Sequence, residues 1–202
     1  MDVLSAIQAR RAVRDYKPEA VPDALLRQLV AAASWAPSAM NEQSWHFTIV
    51  TDQRLMDEIS IRAKAWMLGG IAAMSRPDHF RDLLSDPNFH IFYHAPALIV
   101  ISAPAAGQWA TEDCALAAQN LMLAASGLGL GSCWVGFAQG WLNSEDGHRA
   151  LNLPAGERAV APVIVGYPKT LPPPVSRKVP VITWIGKTAA KEAMTEPRAE
   201  CS

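Results

Sequence analysis

The sequence predicts one α+β domain, and three features of the chain support this prediction. Its 202 residues are 50% hydrophobic, so the chain can bury a core without disulfides or metal ions. Short runs of β-branched and apolar residues, typical of buried strands, alternate with longer segments of helical periodicity. No repeat, linker or low-complexity block divides the sequence. We therefore expect residues 1–186 to form a single domain.

Five segments have apolar residues at helical spacing. Pro22 and Asp23 suit the start of a helix, and the apolar stripe that follows them ends before Pro37. A long Ala-rich segment carries small residues on most of its faces, so we expect a central helix that is packed on all sides. The predicted helices span residues 3–9, 23–36, 52–69, 111–127 and 144–151.

Four compact apolar runs predict strands over residues 46–51, 97–102, 133–137 and 159–166. Residues 69–93 mix Gly, Pro, Asp and aromatic residues, which predicts an irregular segment that covers another part of the molecule. The arm that follows Pro168 is too rich in proline for a helix and apolar enough to lie against a surface. Residues 187–202 are polar and are predicted to form a flexible tail.

Charge and cysteine content argue against several classes of protein. Eighteen basic and nineteen acidic residues leave a formal charge of −1, so there is no global electrostatic reason to bind nucleic acid or an anionic membrane. Cys114, Cys133 and Cys201 are widely separated, which favours reduced thiols over a zinc site or a redox dithiol. No apolar run has the length of a signal peptide or a membrane span. We expect a cytoplasmic protein that binds neither membrane nor nucleic acid.

Arg10, Arg11 and Arg14 place three guanidinium groups within five residues at the end of the first predicted helix. A guanidinium donates paired hydrogen bonds to a phosphate, so the cluster is a candidate anion site. A solvated basic patch is the alternative, and this segment alone does not decide between them.

A polar loop joins the second predicted helix to the first predicted strand. Ser38, Asn41 and Gln43, which follow Pro37, offer hydroxyl and amide groups that can match the edge of a polar heterocycle or a ribityl chain. The same residue types are common in turns for local backbone reasons, so the loop by itself favours ordinary turn chemistry.

The glycine-rich run at residues 127–137 has the wrong order for a dinucleotide-binding motif. That motif requires a strand, then the glycines, then a helix, whereas here a helix precedes and a strand follows. The glycines instead suit the end of a helix and a close backbone approach, with N–H groups near Val135 and Gly136 available to a ligand. In the proline-rich arm, Arg177 and Lys178 form a further basic pair, which is either an anion site or a surface feature.

Five motifs in this order resemble those of the nitroreductase-like FMN oxidoreductases. They are RRAVRDY, APSAMNEQSWHF, DCALAAQNLMLAASGLGLGSCWVGF, VGYP and SRKVP, and the likeness runs from about the N-terminus to Gly186. The resemblance implies a central, mostly antiparallel sheet wrapped by helices, in an intertwined homodimer with FMN at the subunit interface. The C-terminal arm would then reach over the partner subunit.

The resemblance also implies roles for individual residues. Arg10 would cradle the FMN phosphate, Arg14 would lie towards the pyrimidine edge, and the N–H groups of Val135 and Gly136 would face flavin N5. Two departures bear on affinity, since the family usually has Ser or Thr at Ala12 and Pro at Ser44. The residues that the resemblance assigns to cofactor binding are Arg10, Arg11, Ala12, Arg14, Pro37, Ser38, Asn41, Gln43, Val135, Gly136 and Arg177.

The implied reaction is ping-pong transfer of hydride from NADH or NADPH, through flavin N5, to a small electrophilic acceptor such as a nitroaromatic or a quinone. No Ser–His–Asp or Cys–His arrangement is required, so no side chain is assigned as catalytic. An ene-reductase, a dehalogenase or a flavin-degrading enzyme of the same fold remains open. So does a non-catalytic FMN-binding protein.

Overall fold

The computed structural model describes residues 2–71 and 78–186, and its centre is a four-stranded antiparallel sheet. The strand order is β1-β2-β4-β3, so the two longest strands occupy the middle. This confirms the predicted α+β fold with an antiparallel sheet. The predicted flexible tail, residues 187–202, lies outside the described residues. The strands are β1 His46–Val50, β2 Ala97–Pro104, β3 Gly131–Trp134 and β4 Glu157–Gly166.

Seven helices surround the sheet in the described part of the chain. All five helices predicted from the sequence are present, with ends that differ by a few residues. The starts of α1 and α7 have a local cause, because the Asp2 and Ser144 side chains accept hydrogen bonds from the N–H groups of Ser5 and Gly147. The helices are α1 Val3–Ala9, α2 Asp23–Ala33, α3 Gln53–Ile71, α4 Asp78–Ser85, α5 Ala110–Gly127, α6 Gly136–Leu142 and α7 Glu145–Leu151.

The sheet is buried on both faces, which explains the continuous apolar run of β2. Alternate residues of a strand point to opposite faces. Ile99 and Ile101 therefore pack with α2 and α5, whereas Leu98 and Val100 pack with α3 and α6. All four side chains are fully buried. Each face thus has its own hydrophobic core, and the helices form a layer on each side.

The segment that follows α1 extends the sheet beyond β3. Ala12 forms a parallel bridge with Ser132, and the N–H of Val13 donates to the Ser132 carbonyl at 3.1 Å. Val13 is 1% exposed and packs so tightly on Gly131 that a Cβ atom there would lie 2.7 Å from Val13 Cβ. This contact fixes the backbone from which Arg14 projects.

Replacement of Gly131 by alanine is therefore expected to lower the free energy of unfolding by about 1–3 kcal/mol, because the new methyl group overpacks against the rigid Cβ of Val13. Gly127→Ala is the matched control, since no atom lies within 4 Å of a Cβ at that position. Denaturant unfolding of the two variants measures the difference. Equal stability of G131A and the parent chain would show that the strand edge yields without cost.

Three expectations from the sequence are corrected by the structure. Residues 69–93 are not wholly irregular, because they include helix α4, and Leu84, Ile91 and Phe92 of this segment are fully buried. The predicted strand 133–137 ends at Trp134, and Gly136 begins helix α6, which was not predicted. Helix α5 is not packed on all sides in the single chain, because Leu116 is 45% exposed.

Across the described ranges, none of the helices combines the length and the apolar character needed to cross a bilayer.

Candidate functional site

A cavity of about 280 Å³ lies where the Arg14 segment, the end of β3 and the start of α6 meet. Its wall carries both polar and apolar side chains. This is the place at which two of the predicted segments, the basic cluster and the end of the glycine-rich run, come together. The residues that line it are Arg14, Met67, Tyr93, Cys133, Trp134, Val135, Gly136 and Phe137.

Arg14 is the cationic group of this cavity. Its guanidinium carbon lies 5.9 Å from the centroid of the Tyr93 ring, within the range of a cation–π contact. Burial raises the pKa of the Tyr93 hydroxyl, and the charge of Arg14 acts in the opposite direction. Tyr93 therefore stays protonated at neutral pH and presents a hydrogen-bond donor next to a fixed positive charge.

Cys133 forms part of the cavity wall, and the pKa of its thiol reflects the charges of two arginines. Burial raises the pKa of its thiol above the ordinary value, while the positive charges of Arg14 and Arg10 partly offset that effect. Two arginines of the predicted cluster thus act electrostatically on this part of the wall, although Arg14 alone of them lines the cavity. The sequence predicted Cys133 to be a small buried hydrophobe, and the structure agrees, since it is 4% exposed.

Arg11 has a different local environment. Its Nη1 donates to the carbonyl oxygens of Gln8 and Arg10, at 2.6 and 3.0 Å, and so closes the end of α1. Its Nε is buried and has no acceptor among the described residues. A buried guanidinium N–H without an acceptor costs free energy, which marks this position as one that a bound anion could satisfy.

Only one of the two predicted backbone donors is available to a ligand. The N–H of Val135 donates to the carbonyl of Pro162 at 2.8 Å, so the sheet uses it and the prediction for Val135 needs correction. Gly136 is the first residue of α6, and the N–H of a first helical residue has no acceptor within its own helix. Gly136 also lines the cavity, so its N–H is the candidate backbone donor to a ligand there.

The polar loop that follows Pro37 is attached to the start of α5. In the single chain, none of its residues is among those that line the Arg14 cavity. The N–H of Ala39 donates to the buried carboxylate of Asp113 at 3.0 Å. Ser38 Oγ accepts from the Gln43 N–H, and Gln43 Nε2 donates to Asn41 Oδ1, both at 3.0 Å.

The backbone of this loop is strained. Three of its residues have positive φ, namely Met40, Asn41 and Gln43, at 52°, 57° and 51°. A non-glycine residue pays roughly 1–2 kcal/mol for this conformation, and such strain is commonly retained where a loop serves a ligand. Met40 is also 90% exposed.

The C-terminal arm leaves the sheet after a short contact with the N-terminal segment. The N–H of Lys169 donates to the Asp15 carbonyl at 3.0 Å, and the two side chains form an ion pair at 3.2 Å. Beyond this point Arg177 is exposed, and so are most of the apolar side chains of the arm. The large hydrophobic residues exposed on it are Leu171, Val175, Val179, Val181, Ile182, Trp184 and Ile185.

The sequence did not assign several residues of the cavity wall. Tyr93 lies in the segment predicted to be irregular, and its positive φ of 52° leaves no mark in the sequence. Its ring packs edge-on against Phe89, which in turn packs edge-on against Phe137 of the cavity wall. The aromatic residues of the segment 69–93 were the sequence signal that could have pointed to this wall, because Phe80 as well as Phe89 packs on Phe137. Of the described part of this segment, Tyr93 lines the cavity, and Phe80 and Phe89 pack behind its wall on Phe137.

Alkylation of Cys133 by iodoacetamide at pH 7 is expected to be at least about tenfold slower than in the unfolded chain, because its raised pKa and burial disfavour the reactive thiolate. The rate should go on rising above pH 9.0, the ordinary value for a thiol. Peptide-resolved mass spectrometry separates Cys133 from the other two cysteines. A rate equal to that in denaturant would contradict the burial of this wall.

The structure is that of an α+β protein with a candidate ligand site, a cavity lined by cationic, aromatic and backbone groups. Comparison with known proteins identifies the family. The model of the nitroreductase family matches residues 7–167, and the chain belongs to this family.

Two solved structures illustrate the relation. A nitroreductase from Bacteroides fragilis, crystallised with bound FMN, is 32% identical, with a TM-score of 0.77 over 92% of this chain and 99% of that one. A nitroreductase from Desulfitobacterium hafniense, also with bound FMN, is 29% identical, with a TM-score of 0.78 over the same shares of the two chains.

Curated relatives are matched over shorter stretches. A protein of Methanothermobacter thermautotrophicus, provisionally named NADH dehydrogenase/NAD(P)H nitroreductase, is 29% identical over 60% of this chain. The match spans 54% of that relative, about half of its length. A Bacillus subtilis protein, provisionally named NAD(P)H nitroreductase, is 27% identical over 87% of this chain and 88% of its own length.

Proposed function

We propose that this protein is an FMN-dependent oxidoreductase that takes hydride from NADH or NADPH and reduces a small electrophilic acceptor by a ping-pong mechanism. The observation that carries the proposal is the convergence of Arg14, the Gly136 N–H and an aromatic wall on one cavity. The FMN-bound relatives support the choice of cofactor, and the names of the curated relatives support the choice of reductant. We place this activity in the cytoplasm, and the free thiols of Cys114 and Cys133 suit a reducing compartment.

The residues present fit FMN. A flavin phosphate needs several cationic or N–H donors, and the chain supplies Arg10 and the unsatisfied buried Nε of Arg11, which are adjacent in sequence. Arg14 remains for the ring system, since it lines the cavity. Ala12 offers no hydroxyl at the position where the family usually has one, but its backbone bridge to Ser132 keeps the segment at the sheet edge. FMN held by these residues would supply the two-electron redox chemistry that links a reduced nicotinamide to the acceptor.

The work of the protein residues is then electrostatic and steric. Arg14 supplies positive charge where negative charge develops at the edge of the bound ring system. The N–H of Gly136 donates a hydrogen bond from a rigid position, because it belongs to the first turn of α6. Tyr93 and Phe137 form an apolar wall that excludes water from one side of the cavity.

We further propose that the complete site forms in a homodimer. In the single chain, Ser38, Asn41, Gln43 and Arg177 are separate from the Arg14 cavity, although the family resemblance assigns all of them to the same cofactor. The exposed apolar side chains of the arm indicate a partner surface, because monomeric proteins rarely leave such a series in water. A second copy would bring its polar loop and arm to the cavity of the first.

Anaerobic stopped-flow spectroscopy tests the proposed function. The purified protein is mixed with NADH or NADPH, and the flavin absorbance is followed before and after addition of a nitroaromatic or a quinone. We expect bleaching by the reductant and reoxidation by the acceptor, in two separate steps. A flavin spectrum that neither nucleotide bleaches would overturn the proposed reductase and favour an FMN-binding protein without this activity.

A further inference from the structure

Three side chains with metal-binding atoms meet on the surface between α3 and the turn that precedes β2. Oδ1 of Asp57 lies 3.1 Å from Nε2 of His90, and the ring centroids of His90 and His94 lie 4.5 Å apart. One potential ligand atom from each of the three residues lies within 4.8 Å of the others. None of the three lines the cavity described above.

We propose that Asp57, His90 and His94 form a binding site for a divalent transition-metal ion of the Zn²⁺ type. Two imidazoles and one carboxylate make a donor set that such ions prefer, and water can complete the coordination shell. With metal–ligand distances of about 2.1 Å, ligand atoms in a tetrahedral site lie roughly 3.4 Å apart. Asp57 and His90 already meet this spacing, so only His94 has to move closer.

His94 can make that movement, whereas His90 is held in place. The His90 side chain is 12% exposed, and that of Asp57 is 56% exposed. His94 is exposed as well. A fixed histidine with two accessible partners gives the ion an open path from solvent and leaves one mobile ligand to adjust the geometry.

The turn that carries both histidines is strained and firmly attached to α3. Tyr93 and His94 have φ of +52° and +54°, a conformation that side chains other than glycine rarely adopt. Ser60 Oγ accepts from the N–H of Ile91 at 3.1 Å. Lys64 Nζ donates to the Phe89 carbonyl at 2.8 Å. These contacts keep the strained turn in one arrangement, which is the preorganisation that a metal site requires.

The neighbours of His90 determine which of its two ring nitrogens carries the proton. Its Nδ1 accepts a hydrogen bond from the N–H of Phe92 at 3.2 Å, so the neutral ring carries its proton on Nε2, towards Asp57. Coordination through Nε2 requires the other neutral tautomer, so the proton moves from Nε2 to Nδ1 and the hydrogen bond from the Phe92 N–H is lost. The ammonium of Lys64 opposes a nearby cation, although its bonds to the Asp86 and Phe89 carbonyls hold it in place.

The position of the site connects it to the cavity. Tyr93 lies between the two histidines in sequence and lines the cavity together with Arg14. An ion that joins α3 to His90 and His94 restrains the backbone on both sides of Tyr93. The site therefore stabilises one wall of the cavity without touching a bound ligand.

The test is isothermal titration calorimetry of ZnCl₂ into the untagged full-length chain, after dialysis against a chelator. We expect saturable binding of one Zn²⁺ per chain. D57N, H90N and H94N should each weaken it by at least about tenfold, because each removes a ligand. H148N is the matched control, since His148 lies on α7 and takes no part in the cluster. Its affinity should equal that of the parent chain.

Two results would overturn the proposal. One is the absence of saturable binding, and the other is an affinity in D57N and H94N that equals that of H148N, which would assign the ion to another surface group. Asp57 and His94 are exposed, so their replacement leaves folding intact even if His90 tolerates none. Circular dichroism checks this directly. The readout does not involve the flavin, so it is independent of the proposed function.

Discussion

Replacement of Arg14 by alanine is expected to weaken FMN binding by roughly 10- to 100-fold. A hydrogen bond to a charged group contributes about 1.5–3 kcal/mol, and each 1.4 kcal/mol corresponds to a factor of ten in the dissociation constant. Arg14 is the arginine that lines the cavity wall, and the Tyr93 ring that it contacts loses its cationic neighbour as well. Fluorescence titration of the apoprotein with FMN measures the change.

The R14A variant also separates binding from chemistry. If Arg14 stabilises negative charge at the cofactor edge, NADH or NADPH should bleach the flavin of R14A more slowly than that of the parent chain, even when FMN saturates the variant. Arg149→Ala is the matched control, because Arg149 pairs only with Glu145 and Asp146 on the exposed face of α7 in the described structure. Unchanged affinity and unchanged reduction in R14A would place the cofactor elsewhere.

A double substitution in the arm, V181D with I185D, is expected to raise the dissociation constant of the proposed homodimer by about 100-fold or more. In the single chain these side chains are 98% and 94% exposed, so aspartate there would change the stability of a monomer by no more than about 0.5 kcal/mol. Packed on a partner subunit, each carboxylate would lose its water, at a cost of several kcal/mol. In a two-fold symmetric dimer, each substitution is present at the interface twice, once in each subunit.

Analytical ultracentrifugation over a range of protein concentrations measures this effect, and FMN content should fall together with dimer content. Ile61→Asp is the control, since Ile61 is a 67% exposed residue of α3 and lies outside the arm. A doubly substituted chain that stays dimeric and keeps its FMN would show that the arm does not form the interface. The proposed homodimer would then need another surface.

Local patterns in the sequence were sufficient for most of the architecture. The apolar stripe after Asp23 predicted α2, and the apolar runs at β2 and β4 predicted those strands. A helix buried on one face has apolar residues at helical spacing, and a strand buried on both faces is apolar throughout, so the sequence records both. The start of α6 at Gly136 was missed, because neither a capping side chain nor an acidic first turn announces it.

The sequence by itself determined the α+β class, because the hydrophobic periods of helices and strands record it. It also placed three arginines within five residues, but it did not decide between an anion site and a solvated patch. Only the tertiary structure decided which donors reach the cavity. The Val135 N–H is taken by Pro162, a residue of another strand, and Tyr93 enters through a turn with positive φ. The meeting of Asp57 with His90 and His94 likewise depends on helix α3 packing beside a distant turn. Such contacts depend on the path of the whole chain, so no local pattern records them.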